Sequence, residues 1–171
     1  MTPRAFIPVV CTALALLAQL ALLAPVPAWA QVRDVDLKAA YIYNFVQFTT
    51  WPELGRAREP FFVCASPDSA LWASLQAFNG KPVNNRAWST VDAGSRLKAG
   101  SCDVLVLARA ADRPAPAQGT LVVRDGAGRG MAAITLVDGD EQIRFDINTD
   151  EATRSGLRFS SKLLRLARNV T

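Results

Sequence analysis

The sequence predicts an α/β fold: a single domain with a mixed, mostly parallel sheet flanked by helices on both faces and a C-terminal antiparallel hairpin. Three observations carry this. Short apolar runs, of the kind found in strands covered on both faces, alternate with segments of helical periodicity. Asp138-Gly139 is a hairpin dipeptide, and the residues after it alternate cleanly, with Ile143, Phe145 and Ile147 on one face and Gln142, Arg144 and Asp146 on the other. Finally, removal of an N-terminal leader leaves 141 of the 171 residues, the size of one domain able to bury its own core.

The leader is Met1 to Ala30. Arg4 precedes an apolar run from Val9 to Leu23, Pro25 and Pro27 break it, and Ala28-Trp29-Ala30 is a small-x-small cleavage signature that puts the mature start at Gln31. The competing reading is an uncleaved membrane anchor, against which the apolar stretch is short for a span. Cys11 precedes the apolar core rather than following it, so it leaves with the leader. The expected location is the periplasm, with 1–30 a signal peptide and 31–171 the working domain.

The first mature element is a helix carrying Leu37, Tyr41, Phe45 and Phe48 at three- and four-residue spacing, with Ala40 and Asn44 on the same face. Asp34 or Asp36 is its expected cap, and Trp51-Pro52 its stop. Phe61 to Ala65 reads as a buried strand. Ser66-Pro67-Asp68 reads as a helix start for Leu71, Trp72, Leu75 and Phe78, ending at Asn79-Gly80. A weaker strand over Arg86 to Val91 and a short helix over Ser95 to Ala99 lead to a second buried strand, Cys102 to Ala108.

Pro114, Pro116 and Gly119 mark a connection before a strand over Thr120 to Arg124. The glycine-rich stretch Gly126 to Gly130 invites a phosphate-cradling reading, but strand-like residues, Ala132 to Val137, follow where a helix N-terminus is required. Asp138, Asp140 and Glu141 lack the further ligands of a calcium loop and read as a solvated turn. Asn148 or Thr149 begins a short helix that Gly156 ends. Leu157 to Phe159 is extended, and Ser160 or Ser161 caps a last helix with Leu163, Leu164 and Ala167 inward and Lys162, Arg165 and Arg168 as a basic face.

Without the leader the chain keeps 18 basic and 15 acidic residues, a net of +3. A surplus so mild and dispersed argues against nucleic acid as a partner. Two cysteines remain, and an even count in an oxidising compartment argues for a Cys64–Cys102 disulfide, the alternative being two separate buried thiols. The chain has no histidine. This excludes Ser-His-Asp and Cys-His catalysis in their usual form and most zinc, copper and non-haem iron sites. Catalytic, metal and cofactor residues are therefore not expected. An enzyme would need a carboxylate pair or an activated lysine or serine, and Asp146, Asp150 and Glu151 read instead as strand face and helix cap.

Three stretches in order add a family resemblance: Leu37 to Phe45 (LKAAYIYNF) running on to Trp51-Pro52, Cys102 to Leu105 (CDVL), and Arg144 to Asn148 (RFDIN) leading into Ser160 to Leu164 (SSKLL). Behind a leader they resemble the YfiR family of periplasmic regulators, also called YfiR/HmsC-like, from about Asp36 to Ala167. The resemblance implies a non-enzymatic repressor that binds the periplasmic part of an inner-membrane diguanylate cyclase and keeps it inactive. Cyclic-di-GMP and biofilm formation then rise when the repressor misfolds or is captured by an outer-membrane lipoprotein. It also implies a redox role for the bridge, here Cys64 and Cys102. Members with a second cysteine pair, or with Gly-Gly where this chain has Arg129-Gly130, depart from this sequence at those points.

Candidate partner-binding residues are the exposed basic groups Arg144, Arg158, Lys162 and Arg165, each of which also reads as an ordinary solvated charge. A homodimer is a further possible assembly. The alternative function is a periplasmic small-molecule-binding sensor domain, since α/β sheets hold ligands near strand ends.

Overall fold

The computed structural model describes residues 29–53, 60–96, 102–108, 117–126, 131–139 and 142–171, with the backbone alone at 29–33 and 96. The leader as far as Ala28, the Ser95–Ala99 helix beyond Arg96 and most of the Gly126–Gly130 loop lie outside them. The chain divides into two compact units, Met1–Gln31 and Val32–Thr171, and the sheet and its core belong to the second.

Five helices and ten strands are described: α1 Trp29–Gln47, β1 Thr49–Thr50, β2 Phe61–Ala65, α2 Trp72–Gln76, β3 Pro82–Val83, β4 Arg86–Asp92, α3 Ala93–Arg96, β5 Val104–Leu107, β6 Leu121–Asp125, β7 Ile134–Asp138, β8 Ile143–Ile147, α4 Thr149–Arg154, β9 Arg158–Phe159, α5 Ser161–Leu166 and β10 Asn169–Val170. Eight strands form one sheet in the order β10-β8-β7-β6-β5-β2-β4-β3, and β1 pairs with β9 in a separate antiparallel ribbon. Within the large sheet only β7–β8 and β3–β4 are antiparallel. The expected mixed, mostly parallel α/β sheet with its late hairpin is therefore present.

Strand alternation divides the apolar residues between two faces. Phe61, Val63, Val104, Val106, Leu121, Val123, Ile134, Leu136, Phe145 and Ile147 join the main core, which α1, α2, α4 and α5 cover with Phe45, Leu75, Ala152 and Leu163 among others. Cys64, Leu105 and Leu107 point to the other face and form a smaller cluster, flanked by Val91, Val122 and Ala93 of α3. All four residues of β5 are buried, as a strand covered on both faces requires.

Local chemistry sets several boundaries. The Asn148 side chain accepts from the Glu151 amide at 2.9 Å, and the Ser160 hydroxyl accepts from the Leu163 amide at 3.2 Å, so α4 and α5 start where the caps predict. Gly156, at φ +72°, supplies the left-handed residue after α4.

Three expectations change. The buried face of α1 carries Ala39, Ile42, Phe45 and Val46, whereas Leu37 and Asn44 are exposed. Of the predicted stripe, Phe45 is fully buried and Tyr41 and Phe48 pack half-buried against the core, while Lys38, held by ion pairs, takes a buried position on the same helix. Asp34 and Asp36 lie inside α1 rather than capping it; Asp36 accepts from the Ser74 hydroxyl instead. Ser66 heads a series of turns, not a helix: α2 starts only at Trp72, without a side-chain cap.

Candidate functional site

The disulfide is the centre of the smaller core. β2 and β5 are parallel neighbours, with Val63 opposite Val104 and Cys64 opposite Leu105. Cys102 stands just ahead of β5, and its Cα lies 5.9 Å from that of Cys64, within the range of an ordinary disulfide. The two bonded residues are 0% and 3% exposed. No reductant reaches these sulfurs without local opening of the structure.

What holds that region shut is a charge pair the sequence reading missed. Asp103, 2% exposed, receives Arg86 Nη1 at 2.8 Å on one carboxylate oxygen and Arg86 Nη2 at 2.7 Å on the other. The second oxygen also accepts from the Phe62 amide at 2.8 Å, and Arg86 Nη2 donates to the Pro60 carbonyl at 2.7 Å. Arg86 further covers the Phe61 ring, with its guanidinium carbon 5.1 Å from the centroid. One bidentate pair thus ties together the starts of β2, β4 and β5, next to the bridge. The Thr120 hydroxyl adds a hydrogen bond to the Cys102 carbonyl at 2.7 Å.

A second buried cation fixes α1 to the sheet. Lys38 Nζ lies 2.8 Å from Asp125 of β6 and 2.8 Å from Asp138 at the end of β7. Burial alone pulls the Lys38 ammonium towards neutrality. Its hydrogen bonds to Asp125 and Asp138 outweigh that, so its pKa stands above the usual lysine value. Asp138 is therefore an ion-pair partner as well as a turn residue; its neighbours Asp140 and Glu141 lie outside the described residues.

The four candidate basic residues do not gather into one patch. Arg144 is exposed on β8 and, by alternation with the core residues Ile143 and Phe145, points away from the face α5 covers. Arg158 is exposed on β9, opposite Thr50 of β1. Lys162 and Arg165 are exposed on α5, one turn apart, and Lys162 sits 5.0 Å over the Phe48 ring. Arg168, expected with them, instead forms a bidentate pair with Asp146, and this holds the Asp146 carboxyl below the usual carboxylate range.

A groove of about 330 Å³ opens between the first half of the described α1 and the β7–β8 turn. Leu37, Tyr41 and Ile143 form apolar wall, and Asp34, Asp138 and Gln142 supply polar groups. Sequence reading placed Leu37 and Tyr41 in the core; the local signal for a groove was Asp34, one helical turn before Leu37. No helix among the described residues is long and apolar enough to cross a membrane. Nor do three or more potential metal ligands gather among them.

A disulfide-braced α/β domain with its charged side chains split between buried clamps and open surface is the class these features define. The chain belongs to the YfiR/HmsC-like family, whose model matches residues 35–168 of 171, nearly the whole of the second compact unit. This is a family of periplasmic regulators, regulatory rather than catalytic. A comparison with curated proteins finds no match.

Proposed function

We propose that the mature chain represses an inner-membrane diguanylate cyclase by binding its periplasmic part, and that it does so only while the Cys64–Cys102 bridge is closed. Family membership over residues 35–168 carries the reading. The bridge supports its redox arm, because it joins β2 to β5 within the core of the fold. A repressor of this kind needs no chemistry. It needs higher affinity for the inactive cyclase than for the active one, since equal affinity for both would shift nothing.

The interface draws on Arg158, Lys162 and Arg165, with Arg144 a separate contact on the other face. Capture of the repressor by an outer-membrane lipoprotein, or loss of its fold after reduction, releases the cyclase. Deletion of the gene is expected to raise cyclic-di-GMP and biofilm, and complementation to reverse both. An unchanged nucleotide level in the deletion strain refutes repression. A Cys64→Ser variant that represses as well as wild type under reducing stress refutes the redox arm alone.

The groove beside α1 favours a second reading, a periplasmic sensor domain for a small molecule. A thermal-shift screen against metabolites tests it, and a shift abolished by Tyr41→Ala is the result it requires.

A further inference from the structure

Leu37 stands 46% exposed on α1, and the groove it lines carries more negative charge than its neighbours neutralise. We infer that this groove binds an aliphatic diamine, a molecule with an ammonium at each end of an apolar chain. The inference rests on the sensor reading above and names the class of molecule sensed.

The charge follows from the residues around α1. Lys38 brings one positive charge to two carboxylates, Asp125 at 2.8 Å and Asp138 at 2.8 Å. One negative charge of that trio is left over, and Asp138 keeps 64% of its side chain exposed, open to a further donor. Asp34, also exposed, lines the same groove and has no ion pair or side-chain hydrogen bond among the described residues. No lysine or arginine is among the residues that line it. The groove therefore calls for cations from outside.

Its shape selects the kind of cation. Asp34, Leu37 and Tyr41 fall at i, i+3 and i+7 and so share one face of α1. Asp138 is fixed beside Lys38, four residues after Asp34, so the two carboxylates stand about 6 Å apart along the helix axis. The wall is apolar, with Leu37 and Tyr41 from α1 and Ile143 from β8. An alkyl chain joining two ammonium groups fits this pattern, because its methylenes cover Leu37 while each end donates to a carboxylate.

Both sides of the groove are set in advance, which lowers the cost of binding. The Tyr41 ring packs with its centroid 6.0 Å from those of Phe45 and Phe145. On the opposite lip the Gly139 amide donates to the Gln142 carbonyl at 3.1 Å, and a Cβ on Gly139 would meet that oxygen at 2.8 Å. A metal ion is the poorer occupant, since no three potential ligands gather among the described residues and a leucine wall cannot complete the shell of a hard cation. A monoamine leaves one carboxylate unanswered, and a diol or a dicarboxylate leaves both. At about 330 Å³ the groove lies at the lower end of small-molecule sites, a size that suits chains as short as putrescine and cadaverine.

Isothermal titration of the protein as purified from cells, with cadaverine as the probe at low salt, is the test. Saturable one-to-one binding is expected, weakened by added sodium chloride. Asp34→Asn is expected to weaken it at least about tenfold, and replacement of cadaverine by pentylamine to do the same. Asp34 is exposed, so the variant's melting temperature without ligand is expected to match wild type. NMR shift changes are expected to centre on Asp34, Leu37, Tyr41 and Ile143. Absence of saturable binding by both cadaverine and putrescine overturns the inference. Binding that pentylamine or magnesium chloride matches also overturns it, as counter-ion attraction alone, and so does binding indifferent to Asp34→Asn. A different metabolite that raises the melting temperature through Tyr41, while cadaverine does not, keeps the sensor reading and overturns this one. Failure of every metabolite overturns both.

Discussion

Replacing both Cys64 and Cys102 by alanine should cost this domain about 4 kcal/mol. The bridge closes a loop of 38 positions, and in the chain-entropy model that constraint on the unfolded ensemble is worth about 3.5–4 kcal/mol. Alanine is the right replacement, because both sites are almost fully buried and serine would add unpaired hydroxyls to an apolar cluster. For a domain of this size each kcal/mol moves the melting temperature by about 3 °C, so a fall of about 12 °C is expected. Urea unfolding should show a lower midpoint and a steeper slope, since the uncrosslinked unfolded chain exposes more surface. Dithiothreitol should reduce the native protein through local opening, far more slowly than it reduces the protein in denaturant. A loss under about 1 kcal/mol, or rapid reduction of the native protein, would refute the view that this bridge braces the core.

The remaining predictions concern the charge clamps and one turn. Arg86→Met leaves Asp103 buried without its cation and should cost about 3–5 kcal/mol by urea unfolding; a loss below 1 kcal/mol would show that the clamp is dispensable. Asp146 has a lowered pKa in the folded chain, so its contribution is present above the usual carboxylate pKa and is lost as pH falls through the folded value. Asp146→Asn should therefore flatten the decline of stability below about pH 4, measured by melting across pH. Lys38 has the opposite sign: its raised pKa gives stability that persists below the unfolded value and fades as pH rises through the folded one. Lys38→Met should remove that alkaline decline while lowering stability at neutral pH. Gly156→Ala forces a left-handed alanine, with its new Cβ 3.0 Å from the Gln118 side-chain oxygen, and should cost about 1–2 kcal/mol or more in the same assay.

How much of this was legible beforehand depended on whether a signal was local. The apolar runs at Phe61–Ala65 and Val104–Leu107 and the alternation from Ile143 to Ile147 needed no distant information, and they form the strands they predict. The caps Asn148 and Ser160 act within three residues and were readable for the same reason. The face of α1 was not, because Lys38 is made acceptable to the interior by carboxylates 87 and 100 positions away. Two edge strands also escaped. β3 consists of Pro82 and Val83 and turns through Asn84 and Asn85, both at positive φ, while β10 is two exposed residues held by pairing with β8. The Arg86–Asp103 pair left no trace in spacing, since it depends on which strands become neighbours. The basic residues were visible as exposed charges, but their separation onto two faces followed only from the packing of α5.

Sheet order has a kinetic consequence. Five of the seven neighbouring pairs in the large sheet are parallel, and all of these but β6–β7 join strands separated by more than a dozen residues of chain. Such long-range pairing makes folding slow and leaves runs such as Phe61–Ala65 exposed to aggregation meanwhile. β2 and β5 are side by side in the sheet although β4 lies between them in the chain. A thiol oxidant that joined them early would shorten the search for that contact, so oxidative catalysis should speed refolding of this protein as well as stabilise its product.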